Sequence, residues 1–383
     1  MTNSRTIIEV HILQTVPPAN LNRDDTGSPK SAIFGGVPRA RVSSQAWKRP
    51  TRELFRQSVD PSKLGLRTKR VVEVLSERIL AKGSGIDEQT AVETAKEMLK
   101  TVGLTLTVPR KKKNQEEQPL DQTGYLLFLG NAQYDALAEL AVTVIEGSDG
   151  GATIQDKKKQ IRGIIRNDRA IDVALFGRMV ADSSDLNIDA AAQVAHAISV
   201  QKVTAESDYF TAVDDVKEDN DDEADSGAAM IGEIEFNSAT FYRYANVDVD
   251  RLVDTLGDTD VTETAVEAFV RSFVKSMPNG KINTFAQNTL PDLVLINLRD
   301  TQAVNLVGAF ERPIEGDTVR NATRALVARE QEIDRAYDTT PVHSWVVRVG
   351  TATEAADELA PTISLSDAVA GVGAAIEQRL QAR

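Results

Sequence analysis

Short apolar runs sit at the two ends of this chain with helical periodicity between them, and that arrangement narrows the fold more than any other feature of the sequence. Ile7-Ile8-Glu9-Val10-His11-Ile12-Leu13 is β-branched and mostly apolar, and it stops before Pro17-Pro18, so it reads as a buried strand of a central sheet. Leu293 to Leu298 reads as another buried strand, and Ile234 to Val247 alternates well enough for a long one. Between them, 67 to 82 has helical spacing, with Val71, Val72, Leu75, Ile79 and Leu80 on one stripe. Helices are also expected over 87–101, after Asn131 to Ile145, over 155–165 and over the Ala-rich 188–198. Leu252 to Leu256, Thr262 to Met277 and a last helix after Ser366 and Asp367 complete the pattern. Strands at both ends with helices between fit an α+β palm interrupted by a long insertion, not regular βαβ repetition.

Three segments read as irregular. Leu21 to Val42 is polar and glycine-bearing, and ends where Ser43 or Ser44 can cap a helix whose continuity Pro50 puts in question. Leu104 to Val108 and Tyr125 to Leu129 flank a polar loop and suggest a strand pair with a basic tip at Lys111-Lys112-Lys113. Ser199 to Gly232 reads as an extended hairpin or flexible protrusion, because Tyr209-Phe210 is followed by eight acids among the twelve residues Asp214 to Asp225.

With no cysteine among 383 residues, a disulfide framework or cysteine zinc site is excluded. No stretch of about 18 apolar residues suggests a spanning helix, and the first residues lack signal-peptide features, so a cytoplasmic protein without membrane contact is expected. The net charge of -13 argues against a nucleic-acid partner until its distribution is considered. Residues 1 to 120 hold 21 Lys and Arg against 13 Asp and Glu, a net of +8, leaving -21 for the rest. The split suggests a basic surface on an acidic body.

That basic surface is densest from Asn22 to Arg52. Arg23, Lys30, Arg39, Arg41, Lys48 and Arg49 offer cationic donors, while Ser43, Ser44 and Gln45 offer neutral ones at a helix start whose backbone N–H groups suit phosphate. Such a donor-rich loop recognises a backbone rather than a base sequence. An ordinary loop whose arginines pair with Asp24 and Asp25 is the alternative for any single arginine.

In this segment the chain resembles the CasC family, the repeated backbone subunit of the type I-E CRISPR surveillance complex Cascade. Further matching motifs are Asp172-Val-Ala-Leu-Phe-Gly-Arg-Met179, Gln193-Val-Ala-His-Ala-Ile-Ser199, Asp208-Tyr-Phe-Thr-Ala-Val-Asp-Asp215, and Glu235-Phe with Phe241-Tyr-Arg-Tyr244, in order along the chain. The resemblance implies a hand-shaped α+β fold. Its RRM-like, modified ferredoxin-like palm would be discontinuous, over 1–59 and 171–383, with a helical fingers insertion over 60–170 and a protruding thumb over 199–231. It also implies several copies lined along a crRNA guide, each thumb displacing one base at a regular interval, and the exposed guide pairing with a target DNA strand. Expected partners are therefore crRNA, target DNA through the guide, and further copies of the chain. The other Cascade subunits (large, small, guide 5′-end and guide-processing) and a recruited helicase-nuclease complete the set.

Arg23, Lys30, Ser43, Gln45, Lys48 and Arg52 fall where members of the family hold the guide backbone, with Lys281 a further candidate and Asn283 a weaker one. Met179, Tyr209, Phe210 and Val213 match positions that would wedge against bases at each kink; on residue type alone Met179 would be placed in the core. No cofactor or metal is expected. His11, His196 and His343 are widely separated, and His11 in its strand and His196 on an Ala-rich helix read as packed side chains. No Walker A, dinucleotide, zincin or nucleophile-elbow motif occurs, so no enzymatic activity is expected. The competing reading is a metal-dependent nuclease centred on Asp24 and Asp25.

Overall fold

The computed structural model describes residues 5–111, 119–148, 150–167, 169–212 and 230–382. Val213, the acidic tract Asp214 to Asp225, and Lys112 and Lys113 lie outside the described residues. In chain order the first elements are β1 (Ile7–Ala19), β2 (Ser31–Phe34), β3 (Val37–Val42), α1 (Ser44–Ser58), β4 (Gly65–Thr68), α2 (Val71–Lys82) and α3 (Glu88–Thr101). There follow β5 (Leu106–Thr107), β6 (Gln122–Thr123), β7 (Leu127–Gly130), α4 (Asn131–Ile145), α5 (Lys158–Arg166), α6 (Ile171–Phe176), β8 (Ala192–Val194) and β9 (Ala197–Ser199). The rest comprises β10 (Glu206–Ala212), β11 (Met230–Asp248), α7 (Val249–Leu256), α8 (Thr259–Lys275), α9 (Ile282–Phe285), β12 (Leu293–Arg299), α10 (Thr318–Tyr337), β13 (His343–Arg348) and α11 (Leu365–Gln381).

These elements fall into two compact units. The first holds Met1–Leu54, Val194–Asn246 and Phe269–Ala375; the second holds Phe55–Gln193, Val247–Ala268 and Ile376–Arg383. The second therefore takes in residues 171–193 and 247–268, which the expected division gave to the palm.

The first unit is built on a sheet ordered β13-β12-β1-β11-β9-β3-β2. β1 lies antiparallel to β12, from Ile7 opposite Arg299 to Leu13 opposite Leu293, and β12 lies antiparallel to β13. Ile7 to Gln14 are buried without a break, as expected for a central strand covered on both faces. Side chains alternate across the sheet, so Leu13, Leu293, Leu295 and Tyr242 share a core with Leu326 and Val327 of α10. Each such aliphatic side chain contributes about 1.5–3 kcal/mol on full burial.

The same face carries a buried charged network. Arg299 donates through Nε to Glu9 at 2.7 Å, through Nη2 to Glu330 at 2.5 Å, and through Nη1 to Asp334 at 2.7 Å and to the Thr339 carbonyl. Burial alone would raise the carboxyl of Glu9, but hydrogen bonding to His11 and the charges of His11 and Arg299 bring it below its ordinary value. Burial dominates at Glu330 and pushes it up.

The second unit is mainly helical. Val72, Leu75 and Ile79 of α2 pack with Ala95 and Met98 of α3, Leu137 and Ala141 of α4, and Ile161 of α5. Asp87 caps α3 by accepting from the Thr90 N–H at 2.9 Å.

Four local expectations are corrected. The supposed loop from Leu21 to Val42 contains the β2–β3 hairpin, whose turn at Gly35 (φ +60°) lies so close to the Glu311 carbonyl that a Cβ would fall 1.6 Å from its oxygen. The Ala-rich 188–198 is not a helix but ends in β8 and β9, because pairing of Ala197 with Val42 and of Ile198 with Arg41 and Tyr242 overrides alanine's helical preference. The two runs flanking the basic loop do not pair with each other: Leu106 and Thr107 pair with Thr123 and Gln122, while β7 pairs with β4. Finally, α1 runs unbroken past Pro50, held by a buried stripe of Trp47, Thr51 and Phe55 that spans it.

Candidate nucleic-acid interface

Asn22 to Lys30 forms a closed turn. The Lys30 N–H donates to the Asn22 carbonyl and the Asp24 N–H to the Ser28 carbonyl, both at 2.9 Å. Asp24 Oδ1 accepts from the Thr26 N–H (2.9 Å), the Thr26 hydroxyl (2.7 Å) and the Ser28 N–H (3.0 Å), and these bonds hold its carboxyl below the ordinary range. That oxygen is spent on loop architecture. Asn22 Oδ1 accepts from the Ser43 N–H at 2.9 Å, which ties the turn to the start of α1. Of the two serines proposed as caps it is Ser43 that serves, its Oγ accepting from the Ala46 N–H at 3.3 Å. The N–H groups of Ala46 and Trp47 also turn back to the Ser43 carbonyl, at 3.0 and 3.4 Å.

Along α1 the spacing sorts the side chains. Gln45, Lys48, Arg49 and Arg52 stand at i, i+3, i+4 and i+7 and so share one face, with Trp47 buried on the other side. Trp47 is anchored from below by Arg243, whose guanidinium lies 3.7 Å from the centre of the indole ring. Burial brings that guanidinium down to about 9. Lys48 is half-buried, and burial lowers its ammonium pKa. Arg49 is exposed and bonds to Glu53 at 2.9 Å, an i,i+4 pair open to competition from a stronger anion.

Pro278, Asn279 and Gly280 close the far side of a cleft of about 560 Å³ whose other walls include Arg23, Gln45 and Arg49. Gly280 makes this possible: a Cβ there would lie 2.4 Å from the Leu21 carbonyl oxygen. Lys281 follows with φ +52°, a left-handed conformation disfavoured for a residue with a side chain, and is exposed. The structure thus brings Lys281 beside the Asn22–Arg52 segment, although some 230 residues separate them in sequence. Asn283 is exposed on α9.

Lys30 and Arg41 extend the cationic row. The Arg41 N–H donates to the Lys30 carbonyl at 2.9 Å, and Arg41 Nε to the Ser31 carbonyl at 3.2 Å. Arg39 does not join them. It is fully buried and donates to the carbonyls of Ser199 and Val200 (both 2.9 Å), Phe310 (2.8 Å) and Glu311 (3.1 Å), so its guanidinium locks the sheet to the segment before α10.

The thumb candidates lie on the β10–β11 hairpin. Tyr209 sits opposite Glu233 and Phe210 opposite Gly232, and successive strand residues point to opposite faces, so the two rings present themselves on different sides. Tyr209 is 63% exposed; the ring of Phe210 lies over Gly232 and stays 41% exposed. At the hairpin's base, Phe236 meets Phe285 of α9 with ring centres 5.9 Å apart, connecting it to the Lys281 segment. Met179, in the second unit, is 79% exposed and not a core residue as its type alone suggests. It follows Arg178, which is buried and bonded to the carbonyls of Leu186, Phe128 and Ile165.

Sequence reasoning missed His196. It is exposed at the turn into β9, not packed on a helix, and its Nδ1 lies 2.9 Å from Arg41 Nη1. Its place in the Gln193–Ser199 motif was the available signal. Among the described residues no group of three or more His, Asp or Glu side chains is arranged to hold a metal ion, and no helix is long and apolar enough to cross a membrane.

The CT1975-like protein family matches the chain over residues 8–370. Among solved structures, the chain is similar to one from a "CRISPR RNA-guided surveillance complex, pre-nicking", with 32% identity, a TM-score of 0.80, and coverage of 97% of this chain and 100% of that one. A second, from a "CRISPR RNA-guided surveillance complex", shows 28% identity, a TM-score of 0.70, and coverage of 95% and 99%. No curated protein matches.

Proposed function

The chain belongs to the CT1975-like protein family, and from that premise we propose that it is a non-catalytic backbone subunit of a type I-E CRISPR surveillance complex, in the manner of CasC. Several copies line up along a crRNA, with an RRM-like palm holding the guide backbone without regard to sequence. Arg23, Lys30, Arg41, Ser43, Gln45, Lys48, Arg49, Arg52 and Lys281 supply the phosphate contacts. Exposed apolar side chains on the hairpin and at Met179 kink the guide at intervals, leaving its bases to pair with target DNA. Other subunits of the complex and a recruited helicase-nuclease complete the assembly.

The observation that carries this reading is the shared face of α1. Gln45, Lys48, Arg49 and Arg52 project from one side of a helix whose other side is locked by Trp47, and Ser43 stands at its start. A half-buried, desolvated ammonium such as that of Lys48 gains from an incoming anion. The occupation of Asp24 Oδ1 by its own loop supports a binding role over metal-dependent cleavage.

The test is retention of RNA by the Lys48→Ala, Arg23→Ala double variant. Each lost single-strand phosphate contact should reduce the log-log salt slope by about 0.7 and weaken binding to all sequences alike. An unchanged slope with assembly retained would count against the reading.

A further inference from the structure

His196 belongs to none of the contacts proposed above, yet it touches one of them. The antiparallel pairing of β3 with β9 sets Arg41 opposite Ile198 and Val42 opposite Ala197, which places His196, one residue before β9, beside Arg41. Arg41 Nη1 and His196 Nδ1 are 2.9 Å apart. A guanidinium has only donors, so Nδ1 is the acceptor and the imidazole is neutral, with its proton on Nε2. Arg41 is held at a second point by the Ser31 carbonyl, and its backbone is bonded to that of Lys30. Partial burial, then the charge of Arg41, then that of Lys30, hold the imidazole below its ordinary range. These two cations, one from β3 and one from the segment leading into β2, are the charged groups acting on it.

We propose that His196 is a proton-linked phosphate contact, neutral in the free protein where it holds Arg41 in place, and protonated once an RNA phosphate seats against Lys30 and Arg41. This rests on the guide-binding reading above. A phosphate cancels the field of the two cations, takes over the hydrogen bond from Arg41, and offers an acceptor to the protonated ring. The imidazole pKa is therefore higher in the complex than in the free protein, and binding takes up a proton. Affinity then rises as pH falls from the bound value towards the free value. It is flat above that interval, where neither form is protonated, and below it, where both are.

The experiment measures binding of labelled single-stranded RNA to the full chain from about pH 8 to about pH 5.5, at constant ionic strength, for wild type, His196→Asn and Arg41→Ala. Each unit by which the bound imidazole exceeds the free one gives about tenfold, so wild-type binding should tighten on the order of three- to tenfold as pH falls. His196→Asn keeps an acceptor near Nδ1 but cannot titrate, and its profile should be flat. In Arg41→Ala the free imidazole, followed by NMR, should titrate at higher pH than in wild type, and the pH effect on binding should shrink. A flat wild-type profile, or equal tightening in His196→Asn, overturns the inference while leaving the guide-binding reading intact. Absence of RNA binding by wild type at every pH overturns both.

Discussion

Two regions of the first unit use the same cation for opposite ends. At Asn22 to Arg52 the charges lie at the surface: Arg23 and Arg49 are exposed, and Lys30, Arg41 and Arg52 are half-covered. Around Arg299 the guanidinium is fully buried among Glu9, Glu330 and Asp334. The change occurs even within one strand. Arg39 and Arg41, two apart in β3, point to the same side of the sheet, but Arg39 reaches four carbonyls under the segment before α10 while Arg41 reaches an exposed histidine. What a guanidinium does here is set by what lies within its reach, and that is a tertiary property.

The largest effect that would sharpen this comparison is expected from Arg299→Met. Removing the cation leaves three carboxylates with buried or partly buried oxygens and only His11, beside Glu9, to offset their charge, which costs about 3–5 kcal/mol. Denaturant unfolding should show it as a marked fall in midpoint, with RNA binding per folded molecule preserved. A midpoint within error of wild type would mean that the network is not a stabilising element. The next effect is the contrast within β3. Arg39→Ala strips a charged donor from four carbonyls and should cost about 1–3 kcal/mol. Arg41→Ala, at the surface, should cost less than about 1 kcal/mol of stability and weaken RNA binding instead. The opposite pattern would break the division into structural and binding arginines.

The sequence made part of this legible. The unbroken burial of Ile7 to Gln14 followed from the β-branched run, although β1 continues past Pro17-Pro18 to Ala19, and α2 and α3 followed from 3.6-residue periodicity, because these are set by local pattern. The Ala-rich 188–198 misled because alanine's preference is weak and strand pairing to β3 and β11 decided the outcome. The donor-rich segment could be recognised by clustering. Which of its arginines are surface groups could not, since Arg39 is buried by carbonyls up to about 270 residues away. The same limit hid His196, whose meaning depends on a cross-strand neighbour. Lys281 could be suspected from its turn, but its approach to the loop rests on Gly280 fitting against the Leu21 backbone.

The smallest effect tests the comparison from its exposed side. Arg348 and Asp357 form an ion pair at the surface of the same unit, with Arg348 Nε donating to Asp357 Oδ1 at 2.8 Å and the Thr362 hydroxyl adding a bond at 2.6 Å. The bonds from Arg348 and then Thr362 lower the Asp357 carboxyl to about 2. Because the folded value lies below the unfolded one, the pair favours the fold above the unfolded aspartate's pKa of about 3.9 and loses that effect as pH falls through about 2. Arg348→Gln should raise the Asp357 titration midpoint, seen by NMR, with the unfolding midpoint at neutral pH hardly moved, since water reaches and screens this partly exposed pair. A large loss of stability there would remove the distinction on which the comparison rests, because a partly exposed guanidinium would then stabilise the fold as the buried one at Arg299 does.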